Sequence, residues 1–465
     1  MTRGPAGVRR LGQPASTRTS NIQRGNTAAK VHQILCPAPD EATSKNMRRS
    51  TVLLLAGCVI AGTAAFIGGD DGPTAAASME GGAIDPVEVS KFQNLDTGTS
   101  TAVGGTDKPA AKPVASIDSI DLDKITRDGD HYVAPLADGR KAILTLDPDL
   151  QELAEKLLNE SRAPKGAIVV MAPDGKILAL AGRKTEEPKG SRTGTFDWRL
   201  ATEVWAPAAS IFKLVTASAL VKAGVDPDAK VCFHGGLRSV LQHNLQDDKR
   251  DNRCESLAYG VAHSQNAILG KLAYQKLQPT TLEAEAKAFG WIDPLANVKG
   301  MFGELEMPKA RDLELARTAA GFKGAKLSVM GGALLTATFA NAGEQPTPRL
   351  VASIDGKPVE APPMRRAITA EQARAVARMM AGTCNEGSAA KTFNRKRKVA
   401  VAGKTGTLTK TDPFYMEHSW FVGFAPTDKP QLVVSVLLGN PESWHLRGHE
   451  AARRLIDKAL APRRS

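Results

Sequence analysis

Between residues 166 and 182, in GAIVVMAPDGKILALAG, two apolar runs flank Pro173-Asp174-Gly175, a pattern that predicts a β-hairpin. Just before it, LTLDPDLQELAEKLL predicts a strand and then, from Pro148, an amphipathic helix. Late in the chain VAVAGKTGTL (399–408), SWFVGFAP (419–426) and QLVVSVLLG (431–439) predict three strands, and HEAARRLIDKALA (449–461) a closing helix. The region between, up to about 342, reads as largely helical. Its best-formed member is SLAYGVAHSQNAILGKLAYQKL (256–277), and AVARMMAGT (375–383) adds one more helix. Two strands early, three late and helices between predict one sheet assembled from both ends of a domain and covered by helices. No internal repeat is visible.

One helix stands apart. WAPAASIFKLVTASALVKAG (205–224) is apolar nearly all round, the pattern of a helix inside a core. Pro207 suits its start and Gly224 its C-terminal cap. Lys213 nevertheless sits in its first turn, three residues after Ser210. That offset puts both side chains on one face. Burial disfavours the ammonium form, so such a lysine can be a neutral amine and a general base beside a nucleophilic hydroxyl.

The flanking sequence is different. Residues 1–50 hold nine Lys/Arg against Asp40 and Glu41, +7 of the net +12, in a tail with little periodicity; this basic tail is read as cytoplasmic and gives no case for nucleic-acid binding. Met47-Arg48-Arg49-Ser50 reads as an alternative start that would leave residues 1–46 untranslated. Thr51–Gly68 is uncharged over 18 residues, about 27 Å as a helix, enough for a hydrocarbon core. With Arg48 and Arg49 before it and Asp70 and Asp71 after it, residues 47–68 predict a single-pass inner-membrane anchor with the remainder extracytoplasmic. A cleaved leader, or a lipoprotein box at Leu55–Cys58, is the alternative, although the apolar run continues past Cys58. Residues 69–128, rich in Gly, Ala, Thr, Asp and Pro, read as a flexible linker, and residues 129–465 as the folded domain. Cys232 and Cys254, 22 residues apart on the exported side, are either a disulfide or two thiols; Cys384 has no evident partner in the sequence.

A lone S-x-x-K proves little, since about two are expected by chance in a chain this long. The second match, Ser388-Ala-Ala-Lys391, runs into the exposed-looking KTFNRKRK, and Arg395–Lys398 read as a solvated turn. Company changes the odds. Ser264-Gln265-Asn266 gives S-x-N on a predicted helix, and Lys404-Thr405-Gly406 gives the only K-T-G of the chain, inside a predicted strand. His263 and His418 read as structural.

These motifs, in this order and context, resemble the transpeptidase domain of penicillin-binding proteins, within the superfamily that includes the serine β-lactamases. The likeness covers roughly residues 128–465 and includes LARTAAGFKGAKLSVMGGALLTATFANAG and HSWFVGFAP. The resemblance implies an α+β fold: a five-stranded antiparallel sheet flanked by helices, and an all-helical lobe carrying S-x-N. It implies Ser210 as the acylated nucleophile, Lys213 as its base, Ser264 as proton relay and Asn266 as a ligand of the substrate backbone. Lys404 would supply positive charge, Thr405 and Thr407 would hold a carboxylate, and Gly406 would leave room for substrate along the strand. The backbone N–H groups of Ser210 and Thr407 would form the oxyanion hole. Ala209 and Gln265 depart from the usual residues, which bears on substrate preference rather than acylation.

The activity so implied is D,D-transpeptidation of peptidoglycan stem peptides, with covalent inhibition by β-lactams and neither metal nor organic cofactor. A D,D-carboxypeptidase or β-lactamase-type hydrolase, or a silent scaffold or sensor, is the alternative. Class A β-lactamases carry E-x-x-L-N between S-x-N and K-T-G. Here the nearest match, Glu155–Asn159, precedes Ser210. With about 60 residues between anchor and domain, no glycosyltransferase module is expected, so separate glycan-synthesis proteins are the implied partners.

Overall fold

The computed structural model describes residue 120 and residues 122–236, 238–394 and 399–462, all within the compact unit Gly104–Ser465. The basic tail, the proposed anchor, most of the linker and Arg395–Lys398 lie outside the described residues. Among the described residues no helix is long and apolar enough to cross a membrane. Described structure starts before residue 128, with a short 3-10 turn Leu122–Lys124 and a strand Thr126–Asp128.

Helix α1 (Pro148–Ser161) begins where the sequence demands it. The Asp147 carboxylate accepts from Leu150 N–H, Pro148 occupies the first turn, and Arg162 ends the helix in the left-handed region at φ 52°. The hairpin follows as β1 (Lys165–Met171) and β2 (Ile177–Lys184), then the two-residue β3 (Thr195–Phe196). Helix α2 (Lys213–Lys222) is next, then α3 (Leu257–Ala262) and α4 (Asn266–Lys276). Helix α5 (Val329–Ala340) and α6 (Ala370–Asn385) precede the three late strands β4 (Ala402–Lys410), β5 (Met416–Ala425) and β6 (Leu432–Asn440), and α7 (Gly448–Ala459) closes the domain. The central sheet is antiparallel in the order β4-β5-β6-β1-β2-β3. Its five long strands are the five expected from the sequence, with β3 a short sixth.

Strand alternation divides the interior in two. Ala167, Val169, Val433, Leu437, Trp420 and Val422 point into one core with α2 and α5, while Ile168, Val170, Val434, Val436, Leu438 and Phe421 point into another with α1 and α7. Helix α5 is apolar on every side and fully buried from Val329 to Phe339, so it forms the wall between sheet and helical lobe.

Two expectations change in detail. The predicted helix 256–277 is broken: α3 stops at Ala262, Ser264 has φ 57°, and α4 restarts at Asn266. Pro207 does not open α2. Ala206–Pro207 is a short strand against Lys326-Leu327, and a 3-10 turn, Ala209–Ile211, leads into the helix. A proline lacks the N–H that a strand centre needs but suits so short a pairing. Gly224 does follow the helix, at φ 81°. A second sheet was missed: Thr126–Asp128, His131–Pro135, Lys141–Leu144, Val351–Ile354 and Lys357–Pro358 pair in that order from segments some 200 residues apart, and short strands so distant carry no joint signal.

The cysteine alternative is decided for the disulfide. Cys232 and Cys254 are bonded across a hairpin of Lys230–Phe233 and Arg253–Ser256. Buried Lys271 of α4 ties the same region down, its Nζ donating to Cys232 O (2.8 Å) and Asp251 (2.7 Å). Cys232→Ser is expected to lower the unfolding free energy by about 3 kcal/mol from loop closure alone. Denaturant unfolding under oxidising conditions checks this, and no measurable loss would mean that Lys271 suffices.

Candidate active site

The site is built at the junction of the central sheet, the α2 turn and the α3–α4 break. Ala208 N–H donates to Ala325 O (2.9 Å) and Trp420 Nε1 to Pro207 O (2.9 Å), which fixes the strand leading into the turn. Ala209 then takes φ 49°, a conformation that suits glycine and costs an L-residue about 1 kcal/mol. Its carbonyl is packed so closely that a Cβ on Gly321 would lie 2.0 Å from it. The chain thereby turns Ser210 to the mouth of a cleft and sends Lys213, the first residue of α2, into the interior.

Lys213 Nζ lies 2.7 Å from Ser210 Oγ, 2.6 Å from Asn266 Oδ1 and 3.4 Å from Ser264 Oγ. Lys404 Nζ lies 3.0 Å from the same Ser264 Oγ and donates to Thr405 O at 2.9 Å. Two amines thus flank one hydroxyl. Lys213 and Lys404 are fully buried and Asn266 nearly so, whereas Ser210, Ser264 and Thr405 are partly open and Thr407 is exposed. Charge sits behind, hydroxyls in front.

Burial, and then the charge of Lys404, hold the Lys213 amine well below the ordinary lysine value. Burial lowers Lys404 to about 7. Both causes favour the neutral form of Lys213, which faces Ser210 Oγ, while Lys404, at about 7, retains a share of positive charge beside Ser264. Asn266 Oδ1 accepts one Lys213 hydrogen, which aims the nitrogen lone pair away from itself.

The α3–α4 break explains how S-x-N works here. Ser264 occupies the left-handed region, Gln265 N–H bonds to Gly260 O (2.8 Å), and the Gln265 side chain accepts from Ala267 N–H as the N-cap of α4. Its extra length is used locally as a cap. Gly406 has a packing reason as well. A Cβ there would meet Trp420 Cβ at 3.2 Å and Ile211 Cγ1 at 3.3 Å, so glycine also lets β4 approach the Ser210 turn. Strand β4 pairs only with β5 in its sheet and presents its other edge to the cleft.

All eight residues singled out from the sequence belong to this one junction. One neighbour was missed. Ser388 Oγ lies 2.6 Å from Thr405 Oγ1, and Ser388 N–H donates to Ala262 O (3.0 Å) at the end of α3. Gly387 makes that approach feasible, since a Cβ would sit 2.1 Å from Ala262 O. The chance S-x-x-K match drew attention to Lys391, which is exposed, and away from this hydroxyl. His263 stacks on Tyr259 with centroids 4.0 Å apart, and buried His418 bonds to Leu408 O and is pushed down to about 4 by desolvation. Neither contacts the amines.

Comparison with known proteins bears on the family and the fold. A family model described as the penicillin binding protein transpeptidase domain matches residues 166–460. The peptidoglycan D,D-transpeptidase PbpA of Mycobacterium tuberculosis is 25% identical over 335 residues, spanning 64% of this chain and 66% of that protein. Stage V sporulation protein D of Bacillus subtilis is 27% identical, over 72% of this chain and 55% of that one. The chain thus spans just under two thirds of the former relative's length and about half of the latter's. Among solved structures, the imipenem acyl-enzyme complex of penicillin-binding protein A from M. tuberculosis superposes with a TM-score of 0.56 at 24% identity, covering 69% of this chain and 80% of that one. The D,D-transpeptidase domain from Eggerthella lenta gives 0.57 at 24%, covering 75% and 92%. At that identity the likeness is one of fold.

The two amines make a testable electrostatic statement. A free lysine titrates at about 10.4, whereas Lys404 titrates at about 7 and Lys213 below the ordinary value. Between the folded value of about 7 and the unfolded one, the unfolded chain holds the extra proton, so the stability change from Lys404 rises with pH. Side-chain 15N NMR of lysine-labelled protein should show one amine titrating near neutrality. Lys404→Met should remove that resonance and flatten the increase in Tm across the window. Two lysines titrating normally would contradict the buried geometry.

Proposed function

We propose that this chain, which belongs to the family of penicillin-binding protein transpeptidase domains, is a peptidoglycan D,D-transpeptidase that works through an acyl-enzyme on Ser210 and is acylated by β-lactams. The observation that carries the reading is the unbroken chain Ser210 Oγ, Lys213 Nζ, Ser264 Oγ, Lys404 Nζ, with steps of 2.7, 3.4 and 3.0 Å. It connects a nucleophile to a neutral base and the base to a second proton donor. Relatives are named peptidoglycan D,D-transpeptidases, and one was captured as an acyl-enzyme with imipenem.

In this mechanism Ser210 Oγ attacks the carbonyl of the D-alanyl-D-alanine bond and Lys213 takes its proton. The Ser210 and Thr407 backbone N–H groups hold the oxyanion. The proton returns by way of Ser264 to the departing amine, D-alanine leaves, and the acyl group stays on Ser210. An amine of a second stem peptide then attacks, gives up a proton by the same path and releases Ser210 as the cross-link forms. Lys404, Thr405 and Thr407 receive the terminal carboxylate of the donor, and Asn266 assists its backbone. The disulfide fits an oxidising, extracytoplasmic site of action, and residues 51–68 would hold the domain at the membrane.

Fluorescent penicillin tests the assignment on the purified exported domain. Wild type should give a durable adduct that Ser210→Ala and Lys213→Ala abolish. Rapid label turnover would mark a hydrolase, and no label on folded protein would overturn the reading. Ser388→Ala, which removes one hydrogen bond to Thr405, should still be labelled but more slowly. About 1 kcal/mol of lost positioning corresponds to roughly fivefold in rate. A labelling rate equal to wild type would show that Thr405 needs no such support.

A further inference from the structure

The sheet edge opposite β4 carries a cavity that the reaction does not use. Successive strands lie about 4.8 Å apart, so β2 is about 19 Å across the sheet from β4. Here Tyr132, Phe196 and Trp198 line a cavity of about 310 Å3, together with Gln151, Glu155 and Asp123. That volume is at the small end for ligand pockets, the size for a single ring with substituents.

Each group has a local reason to face the cavity. Trp198 opens a 3-10 turn capped by Asp197, whose carbonyl would lie 2.1 Å from a Cβ on Gly182, so the turn is pressed against β2. Phe196, on β3 at the sheet edge, is 45% exposed and the most exposed large apolar side chain among the described residues. Gln151 is used internally: its amide bonds Leu180 O, Leu180 N–H and Glu155 Oε1. That leaves Glu155 with acceptor capacity and fixes its direction. Among the described residues neither the Tyr132 hydroxyl nor the Trp198 indole N–H has a hydrogen-bond partner. The cavity therefore offers aromatic faces, two unused donors and a carboxylate.

Charge narrows the ligand. Glu155 lines the cavity, the Asp123 carboxylate beside it is paired with Arg199 at 2.7 Å, and no Lys or Arg is among the lining residues, which disfavours phosphates, carboxylated stem peptides and β-lactams. Aromatic faces carry negative quadrupole density that suits polarised C–H groups, and the phenol, indole and carboxylate suit hydroxyls and amides around a ring edge. A neutral pyranose has both features. We propose that this cavity is a subsite for a neutral N-acetylhexosamine ring of the glycan strand, separate from the acyl-transfer cleft. This rests on peptidoglycan being the substrate. It would hold a strand on the far edge of the sheet while a stem peptide occupies β4.

Chitotriose, a neutral N-acetylglucosamine trimer, is the probe, titrated into the exported domain by calorimetry and tryptophan fluorescence. Saturable binding is expected in wild type and equally in Ser210→Ala. Affinity should fall at least tenfold in Trp198→Ala and Phe196→Ala and severalfold in Glu155→Gln, with penicillin labelling unchanged. Phe196→Ala removes only a surface ring, so it remains informative if Trp198→Ala misfolds. No saturable binding at millimolar sugar overturns the proposal, as does binding that Phe196→Ala and Glu155→Gln leave intact or that Ser210→Ala abolishes. Tighter binding of the cationic deacetylated trimer also overturns it. Sugar binding without penicillin labelling would instead sink the transpeptidase reading and keep the subsite.

Discussion

The amine of Lys213 is held out of water where the central sheet, the α2 turn and the α3–α4 break meet, and the rest of the domain is arranged so that it can stay there. An isolated ammonium in such a place is strongly disfavoured. The structure answers by favouring the neutral amine and by giving it polar neighbours, Ser210 at 2.7 Å in its own turn and Asn266 at 2.6 Å on α4. Lys404, arriving from β4, reinforces the effect because its charge also opposes protonation of Lys213. The Lys213 amine is thus tuned by burial and by a like charge, with no carboxylate in hydrogen-bonding reach among the described residues.

Such tuning needs rigid walls, and the packing supplies them. Helix α5 is buried on all sides and fills the space between sheet and lobe. The two cores use alternate residues of the same strands, so β1, β5 and β6 cannot slip register without moving a full set of apolar side chains to the wrong core. Two of the left-handed non-glycine residues, Ala209 and Ser264, stand against these walls at the junction, one beside Ser210 and the other within reach of both buried amines. Strain of this kind persists where surrounding contacts over-determine it. The Ala209 carbonyl against Gly321, and Gln265 N–H on Gly260 O, are those contacts.

What the sequence could reveal followed from physical range. Short apolar runs located the five long strands, and the Pro148 and Gly224 signals marked helix ends to within a residue. The residues of the junction were legible because the proposed chemistry restricts their types and order. The break at Ser264 was not, since Leu257–Lys276 keeps an apolar, helix-compatible pattern straight through it and the kink is imposed by tertiary packing. Ala209 gave a hint, standing where glycine is usual, and its φ of 49° shows why. The small second sheet and the contact of Ser388 with Thr405 depend on segments joined only in space, for which one sequence carries no signal.

The same distinction bears on how substrate meets the reacting groups. A Cβ on Gly406 would face Ile211 and Trp420. The glycine therefore sets the distance between the Ser210 turn and the open edge of β4. A larger residue would push the strand away from the nucleophile, and a displacement on the order of 1 Å at a reacting centre can be worth about a hundredfold in rate. Ser388 works in the same direction from the opposite side, tying Thr405 to the end of α3 just before Ser264. Placement of β4 between these two contacts, with Lys404 buried and Thr407 exposed, couples the open edge of the strand to the pair of buried amines. The two lobes are thus held in register at the one point where an acyl group would have to be transferred.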